Sequence, residues 1–295
     1  MRALVTGCSG FIGRHLCLAL LERGDAVVGL SRVRPDIPLA AHFLGEIDDP
    51  SCREAARGCD IVFHLAGLAD ASSSFADPCT FGRVNTQGTL NMLEAARQTS
   101  ARFVLASTQR VYPPRCARLH ESTPAAPTDP YGYSKLLAEQ WAAMYSSLYS
   151  VPTTVLRLFS VYGPGQMVRS GRSGAVSILC QRALAGAPLQ VDVGQVRDFT
   201  YVADVVQAML LCGTASWQGA KTYNVGSGKA TSMEELAQAV CAVTGSSSEI
   251  VTRVTAAQTS YVPDIGLIRS SLGYSPAYDL RKGLELYVDW LRRSR

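Results

Sequence analysis

Short apolar runs alternate with helical patterns through the first half of the chain. The continuous apolar runs, which have the length of buried strands, occupy residues 3–5, 26–30, 61–65, 103–106 and 153–158. The segments that space apolar positions three and four apart, as a helix requires, occupy residues 11–23, 51–57, 85–98 and 131–149. Alternation of helices with strands that are apolar on both faces is typical of a parallel sheet covered on both sides. The pattern therefore predicts an α/β fold, a Rossmann-type doubly wound parallel sheet.

The alternation loosens after residue 165, where a stretch rich in Gly, Ser and Arg at 169–174 predicts a mobile loop. Helices are predicted beyond it at 175–185, 202–211 and 280–293, and a strand at 222–225. Ser232 is expected to cap the helix that continues through Glu235. We predict a dinucleotide-binding Rossmann domain formed by residues 1–165 and 188–225, and a smaller, discontinuous substrate-binding domain formed by residues 166–187 and 226–295.

Composition and charge exclude several classes of protein. The 295 residues are 47% hydrophobic and 18% charged, enough to bury a large core of the size found in small-molecule enzymes. The net charge of +4 includes no run of five basic residues, which argues against nucleic-acid binding. The chain has no apolar run of about 18 residues and no charged leader followed by an apolar stretch. Neither a membrane span nor export is therefore expected.

Cysteine and histidine usage gives two further expectations. Nine cysteines, without any Cys-x-x-Cys spacing, favour a reducing, cytoplasmic location. The four histidines have no metal-ligand spacing, so we expect no metal site.

A glycine-rich string lies between the first predicted strand and the first predicted helix. Gly7 allows the tight turn, Gly10 lets the backbone approach a pyrophosphate, and Gly13 lets the helix pack closely on the strand. The helix that follows offers free N–H groups and the positive end of its dipole. In this context the string predicts a dinucleotide-binding site, and a turn that binds no ligand is the alternative.

The residue that ends the second strand normally distinguishes NAD from NADP. An acidic residue there accepts hydrogen bonds from the ribose 2′-hydroxyl and repels a 2′-phosphate. This chain has Ser31 and Arg32 at that point, and an arginine suits a phosphate. The sequence therefore predicts an NAD(P) cofactor with NADP(H) favoured; arginines that only face solvent are the alternative.

Tyr131 and Lys135 open the helix predicted at 131–149, and a spacing of four puts them on one face. A tyrosine with a pKa of about 10 is a poor base at neutral pH, but a nearby cation favours its phenolate. Such a pair can exchange a proton with a substrate hydroxyl or carbonyl. Taken alone, the same spacing is often an ordinary exposed helix pair.

Ordered motifs along nearly the whole chain change that interpretation. They are Thr-Gly-x-x-Gly-Phe-Ile-Gly at 6–13, Asp-Ile-Val-Phe-His-Leu-Ala-Gly at 60–67, Asn-Thr-Gln-Gly-Thr at 85–89, Ser-Thr-x-x-Val-Tyr at 107–112, Tyr-x-x-Ser-Lys at 131–135, Val-Tyr-Gly-Pro-Gly-Gln at 161–166, Arg-Asp-Phe-Thr-Tyr-Val at 197–202 and Asn-Val-Gly-Ser-Gly at 224–228. With these motifs the chain resembles the extended short-chain dehydrogenase/reductase family, in particular nucleotide-sugar epimerases and dehydratases such as UDP-glucose 4-epimerase.

The resemblance implies a set of site residues. The implied catalytic residues are Tyr131, Lys135 and Thr108. The implied cofactor-binding residues, two of which are also catalytic, are Gly7, Gly10, Phe11, Ile12, Gly13, Ser31, Arg32, Glu46, Ile47, Leu65, Ala66, Asn85, Tyr131 and Lys135. The implied substrate-binding residues are Thr108, Ser160, Arg197, which matches the arginine that grips the diphosphate, and Arg253.

Several residues depart from the family's pattern. Sugar dehydratases carry Asp-Glu after the catalytic threonine as acid and base for water loss, whereas this chain has Gln109 and Arg110, which disfavours dehydration. Ser160 stands where epimerases usually have Asn. Arg253 is only the nearest candidate for a second diphosphate-binding arginine. The identities of the sugar and the nucleotide stay open.

Three functions are compatible with these residues. The leading prediction is a nucleotide-sugar 4-epimerase in which Tyr131 takes the C4 hydroxyl proton while the dinucleotide holds the hydride. The first alternative is an NADPH-dependent 4-ketoreductase acting on a nucleotide 4-keto-sugar. The second is a non-sugar reductase of the family or a non-catalytic NADP-sensing protein. The resemblance also implies a homodimer, formed through the helices near residues 85–98 and 131–149.

Overall fold

A computed structural model of the chain describes residues 1–114, 118–166, 174–215 and 218–294, with the backbone alone at 255–258. The predicted loop at 169–174 lies outside the described residues, apart from Gly174. The strands are β1 Arg2–Thr6, β2 Ala26–Ser31, β3 Ala41–Leu44, β4 Ile61–His64, β5 Arg102–Thr108, β6 Thr153–Leu158, β7 Val161–Tyr162, β8 Leu189–Arg197, β9 Thr200–Tyr201, β10 Ala220–Val225, β11 Thr231–Ser232 and β12 Ile250–Tyr261.

The α-helices are α1 Phe11–Glu22, α2 Ala71–Ser74, α3 Pro78–Phe81, α4 Gly88–Thr99, α5 Pro130–Tyr149, α6 Ala175–Leu184, α7 Val202–Thr214, α8 Met233–Thr244, α9 Gly266–Leu272 and α10 Leu280–Arg293. Two 3-10 helices span Pro50–Ala56 and Gln109–Val111, and one π-helical turn spans Gly82–Gln87. In the described residues no helix is both long and apolar enough to cross a bilayer.

The described strands form a seven-stranded sheet in the order β10-β6-β5-β4-β1-β2-β3. β1 pairs in parallel with β2 on one side and with β4 on the other, so that Val5 lies between Gly29 and Phe63. The chain winds outward in both directions from β1, as the alternation of apolar runs predicted. Because the carboxyl ends of parallel strands share one edge of the sheet, Thr6 of β1 and His64 of β4 come together there.

Two smaller sheets complete the described strands. β8 pairs with β12 in parallel and with β11 in antiparallel, and β7 pairs with β9. By the clustering of Cα atoms the chain divides into two compact units. The first contains residues 1–113, 124–157 and 206–223, and the second contains residues 114–123, 158–205 and 224–295. The predicted Rossmann portion 188–225 includes β8, which instead pairs within the three-stranded sheet, so the functional domain boundaries stay a prediction.

Most predicted elements occur within two residues of their expected ends, but two differ in type. Residues predicted as a helix at 51–57 form the 3-10 helix Pro50–Ala56. Its N-cap is Asp49, whose carboxylate accepts the Ser51 amide. The helix predicted at 85–98 begins as the π-helical turn and becomes α-helical only at Gly88. The predicted cap is present, since Ser232 and Glu235 form a reciprocal capping box at the start of α8.

Candidate active site

The glycine-rich loop joins β1 to α1 in a conformation that requires glycine. Gly7 has φ +69°, and a Cβ there would lie 3.0 Å from the amide nitrogen of Ala66. A Cβ on Gly13 would lie 2.2 Å from the carbonyl oxygen of Gly7, which explains why helix and loop can approach so closely. Among the described residues no side chain caps α1 at Gly10, so its first N–H groups remain available to an anion.

A cleft of about 410 Å³ opens beside this loop, within the first unit. The predicted residues that line it are Gly7, Gly10, Ser31, Arg32, Glu46, Ile47, Leu65 and Ala66. Residues that the sequence analysis did not single out also line it: Ser9, Leu30, Gly45, Gly67, Leu68, Thr80, Arg83 and Val84. The loop and the cleft together fit a dinucleotide, because close backbone approach and free helix amides suit its pyrophosphate. The other residues predicted to bind the cofactor are not among the lining residues: Phe11, Ile12, Gly13, Asn85, Tyr131 and Lys135.

The end of β2 presents an arginine to the cleft. The Ser31 hydroxyl is buried and donates to the carbonyl oxygen of Val33 at 2.7 Å, and it also lies 3.0 Å from His42 Nε2. The serine hydroxyl is therefore engaged within the protein, whereas Arg32, the residue directly after β2, is exposed and lines the cleft.

A buried chain of hydrogen bonds begins directly behind the glycine loop. The Thr6 hydroxyl accepts the amides of Leu65 and Ala66 at 3.1 and 3.0 Å and lies 2.9 Å from His64 Nδ1. His64 Nε2 lies 3.1 Å from the Thr89 hydroxyl, which donates to the carbonyl oxygen of residue 85 at 2.6 Å. These contacts assign the ring proton to Nε2. Burial, with the charge of Lys135, lowers the pKa of His64 to about 3, so the imidazole is neutral.

Asn85 extends this chain to the catalytic helix. Its side-chain oxygen accepts the Leu68 amide at 2.8 Å, and its nitrogen donates to the Leu68 carbonyl at 3.0 Å and to the Ser134 hydroxyl at 2.8 Å. Ser134 in turn donates to the carbonyl oxygen of Tyr131 at 2.7 Å. Asn85 was predicted to bind the cofactor, which stays a prediction; in the structure its amide fixes the segment after β4 and the first turn of α5.

The first turn of α5 holds Tyr131 beside Thr108. Asp129 is the N-cap and accepts the amide of Gly132 at 2.8 Å, and Pro130 occupies the first helical position. The Thr108 hydroxyl acts on the Tyr131 phenol and lowers its pKa. A Cβ on Gly132 would lie 2.4 Å from the carbonyl oxygen of Arg110, so glycine is what lets the turn after Thr108 pack against the helix.

The pKa of the Tyr131 phenol is raised from its ordinary value in this structure. Burial raises it most, the Thr108 hydroxyl lowers it, the Asp129 charge raises it and the Arg110 charge lowers it. The sequence analysis expected Lys135 to lower it. In the structure the charge of Lys135 acts on His64, and the ionised form of Tyr131 is favoured by Thr108 and Arg110.

Lys135 lies one turn further along α5 and is buried. Burial lowers the pKa of its ammonium to about 8, although the nearby Glu139 charge opposes this. Glu139 accepts a hydrogen bond from Ser107 and forms a buried ion pair with Arg157, whose Nη2 lies 2.7 Å from Glu139 Oε2. Arg157 Nη1 also donates to the Tyr112 hydroxyl at 2.8 Å. Sequence reasoning missed these partners because they lie 18 to 45 residues apart.

The predicted substrate residues Ser160, Arg197 and Arg253 lie in the second unit. Arg197 ends β8, is half-buried and donates to the Gln195 side chain at 2.8 Å. Arg253 is opposite Asp192 in the β12–β8 pair and forms an ion pair with it at 3.0 Å. Asp192 precedes Arg197 by five residues, roughly 16 Å of strand. The backbone of Arg253 is therefore paired five residues before Arg197 along β8.

Comparisons with known proteins agree with this fold. Residues 3–226 match the family described as the NAD dependent epimerase/dehydratase family. The chain is 31% identical to UDP-glucose 4-epimerase of Mycolicibacterium smegmatis, covering 99% of each protein. It is 30% identical to UDP-N-acetyl-alpha-D-glucosaminuronate decarboxylase of Bacillus cytotoxicus, covering 99% of this chain and 98% of the relative.

Solved structures give the same result. UDP-glucose 4-epimerase of Thermotoga maritima with UDP-glucose superimposes with a TM-score of 0.92 at 29% identity, over 100% of this chain and 99% of the other. UDP-glucose 4-epimerase of Thermus thermophilus in complex with NAD gives 0.89 at 31% identity, over 100% of both. The predicted fold and cofactor class are confirmed: the chain is an NAD(P)-dependent enzyme of the extended short-chain dehydrogenase/reductase type. It belongs to the NAD-dependent epimerase/dehydratase family.

Proposed function

We propose that the chain is a nucleotide-sugar 4-epimerase in which Tyr131 is the base. The observation that carries the proposal is the place of Tyr131 in the first turn of α5, which packs against the turn that follows Thr108, in the same unit as the glycine loop. A phenol beside a hydroxyl is suited to exchange a proton with an alcohol that binds between them. Relatives that are UDP-glucose 4-epimerases give further support.

The mechanism divides into two proton transfers made by this chain's residues. Thr108 would hold the C4 hydroxyl of the sugar, and the Tyr131 phenolate would take its proton as the C4 hydride leaves, giving a 4-keto-sugar. The bound dinucleotide supplies the hydride acceptor and later the hydride donor. After the keto-sugar has turned over, Tyr131 would return its proton to the C4 oxygen, while the reduced dinucleotide would supply hydride to the opposite face of C4. Oxidation and reduction balance, so no net dinucleotide is consumed.

The proposed cofactor site follows the cleft. The backbone of Gly7 and Gly10 would hold the pyrophosphate, and Glu46 and Ile47 would contact the adenine. Ala66 would pack on the cofactor, and Lys135 would hold the nicotinamide ribose. We further propose that NADP(H) is preferred, because Arg32 lines the cleft at the end of β2, where an acidic residue would exclude a 2′-phosphate.

A one-way 4-ketoreductase is the second candidate, and Arg32 is the observation that favours it. Reductases draw on NADPH stoichiometrically, whereas an epimerase ends with the dinucleotide in its starting state. A non-catalytic sensor is less favoured, since it has no use for a phenol beside Thr108. Relatives also include a dTDP-glucose 4,6-dehydratase and a decarboxylase, but Gln109 and Arg110 replace the acid and base that dehydration requires.

We also propose that the chain forms a homodimer through α4 and α5. Three apolar side chains at helical spacing on α5, Tyr133, Leu137 and Leu148, are 56, 45 and 67% exposed. An exposed apolar stripe of this kind is typical of an interaction surface. Sedimentation of the purified protein should give twice the chain mass. Leu137→Glu should give the single-chain mass, and an unchanged mass in that variant would contradict this interface.

A substrate panel tests the proposed reaction. Purified protein is incubated with UDP-, dTDP- and GDP-sugars and their 4-keto forms, with and without NADPH, while nicotinamide absorbance and sugar identity are followed together. We expect a C4-epimerised sugar without net change in the dinucleotide. Strict NADPH consumption with a keto-sugar would replace the proposal with the reductase.

Tyr131→Phe is the matched control for the panel. We expect a loss of turnover of about 10²- to 10⁴-fold with dinucleotide binding retained, because only the proton transfer is removed. A variant that keeps full turnover would exclude Tyr131 as the base.

A further inference from the structure

Gln109 and Arg110 follow Thr108 directly, and the proposed mechanism does not use either residue. They form the 3-10 turn Gln109–Val111, whose N-cap is Thr108. The Thr108 hydroxyl accepts the amide of Arg110 at 3.2 Å and also lowers the pKa of the Tyr131 phenol. The same hydroxyl therefore neighbours both this turn and the phenol.

Arg110 also forms an ion pair with the residue that begins the catalytic helix. Its Nη1 lies 3.4 Å from Asp129 Oδ2, and the Asp129 side chain is only 3% exposed. The other oxygen of Asp129 caps α5 by accepting the Gly132 amide at 2.8 Å. A Cβ on Gly132 would meet the Arg110 carbonyl, so the turn is packed directly onto the start of α5.

Tyr131 follows Asp129 by two residues, in the first turn of α5, onto which the turn that contains Arg110 packs. The groups that act on the phenol are Thr108 at the end of β5, Arg110 in the turn and Asp129 ahead of α5. From α3 the ring of Phe81 packs edge-on at 6.2 Å and contributes no charge. On α5 itself Lys135 follows one turn later, and its charge acts on His64. Arg110 favours the phenolate and Asp129 opposes it.

We infer that Arg110 and Asp129 are positioning residues that set the ionisation of the Tyr131 base with opposite sign. The inference rests on the proposed function, because it needs Tyr131 to act as a base. A cation beside the phenol stabilises the charge that forms there, and the carboxylate that holds the cation limits how far it does so. A structural ion pair would have no such effect on the reaction's pH dependence.

The pH dependence of turnover tests the inference. Turnover rises with pH as the phenol ionises, so Arg110→Gln should move this rise to higher pH and Asp129→Asn should move it to lower pH. A shift of about half a pH unit to one unit would change turnover three- to tenfold on the acid side of the rise. Arg110→Gln should recover towards the parent rate at higher pH. Arg110→Lys keeps the charge and should restore most of the parent profile.

Two controls keep the outcomes distinct. Asparagine caps a helix as well as aspartate does, so Asp129→Asn should fold normally and keep its melting temperature within a few degrees. The inference is overturned if both variants shift the profile in the same direction, or if neither shifts it. Tyr131→Phe is measured in parallel: retained turnover there contradicts the proposed function itself. Lost turnover in Tyr131→Phe, with unmoved profiles in the charge variants, contradicts only the role of Arg110 and Asp129.

Discussion

The buried residues around the catalytic helix in the first unit and one arginine proposed for the diphosphate in the second unit are held in different ways. In the first unit Thr6, His64, Thr89 and Asn85 are almost fully buried, and their side chains hydrogen-bond to one another or to backbone at 2.6 to 3.1 Å. In the second unit Arg253 is 59% exposed and is paired with a residue of the neighbouring strand. Buried networks hold one geometry, as proton and hydride transfer require, whereas long exposed cations can adapt to a ligand.

Among the substitutions that test this comparison, Lys135→Met should have the largest effect on turnover. We expect turnover to fall by at least about 10²-fold, because the charge proposed to hold the cofactor is lost. We also expect a higher melting temperature at pH 7. The buried lysine has a pKa of about 8, below its ordinary 10.5, so the folded state binds its proton less tightly than the unfolded state does.

The sign of the stability change follows from that difference. The penalty of the buried ammonium is fully present below pH 8 and disappears as the pH rises from 8 to 10.5. The gain in Lys135→Met should therefore shrink over the same range. Thermal melts of both proteins between pH 7 and 10.5 check this, and a destabilised variant at pH 7 would mean that Lys135 is held by stronger contacts than those described.

Arg197→Gln tests the second unit. We expect the KM for the nucleotide sugar to rise about ten- to a hundredfold, the usual effect of losing a charged hydrogen bond to a phosphate, with a smaller change in kcat. Steady-state kinetics with the sugar identified in the panel measures it. An unchanged KM would exclude Arg197 from diphosphate binding.

Arg32→Gln tests the cofactor preference. We expect NADP(H) to bind about tenfold more weakly and NAD(H) to bind unchanged, because only the 2′-phosphate loses a partner. Fluorescence titration of both reduced dinucleotides measures the ratio. Arg57→Gln, which removes an exposed arginine outside the cleft, should change neither affinity. Equal weakening of both dinucleotides would contradict an NADP-specific role.

Arg253→Gln should have the smallest effect. Its guanidinium is exposed, paired with Asp192 and roughly 16 Å of strand away from Arg197. We expect less than about a threefold rise in KM for the nucleotide sugar, measured beside Arg197→Gln. A rise as large as that of Arg197→Gln would mean that both arginines bind the diphosphate after all.

The sequence best predicted the turns and helices whose formation depends on residues close together in the chain. The turn at Gly7, the helix α1 and the first turn of α5 follow from local backbone requirements and caps, and α10 was predicted to the residue. The π-helical turn at Gly82–Gln87 was missed because its apolar spacing is that of an ordinary helix.

Contacts between distant residues were beyond such reasoning. The pairing of β8 with β12 joins segments about 60 residues apart, so no local pattern marks it. The hydrogen bond from Thr6 to His64 spans 58 residues, and the ion pair of Arg110 with Asp129 spans 19. A motif can indicate that such residues matter, but only the folded chain supplies their partners.

The neutral imidazole of His64, at the end of β4, couples the glycine-rich turn to the start of the catalytic helix. The imidazole is hydrogen-bonded to Thr6, next to the turn that would bind a pyrophosphate, and to Thr89, next in the chain of hydrogen bonds that reaches the first turn of α5. In this chain each donor has one acceptor, so the hydrogen bonds fit a single arrangement. A ligand that orders the glycine-rich turn would therefore also reduce the motion of the Tyr131 phenol. Amide hydrogens of both segments should then exchange more slowly together, without any displacement of the backbone.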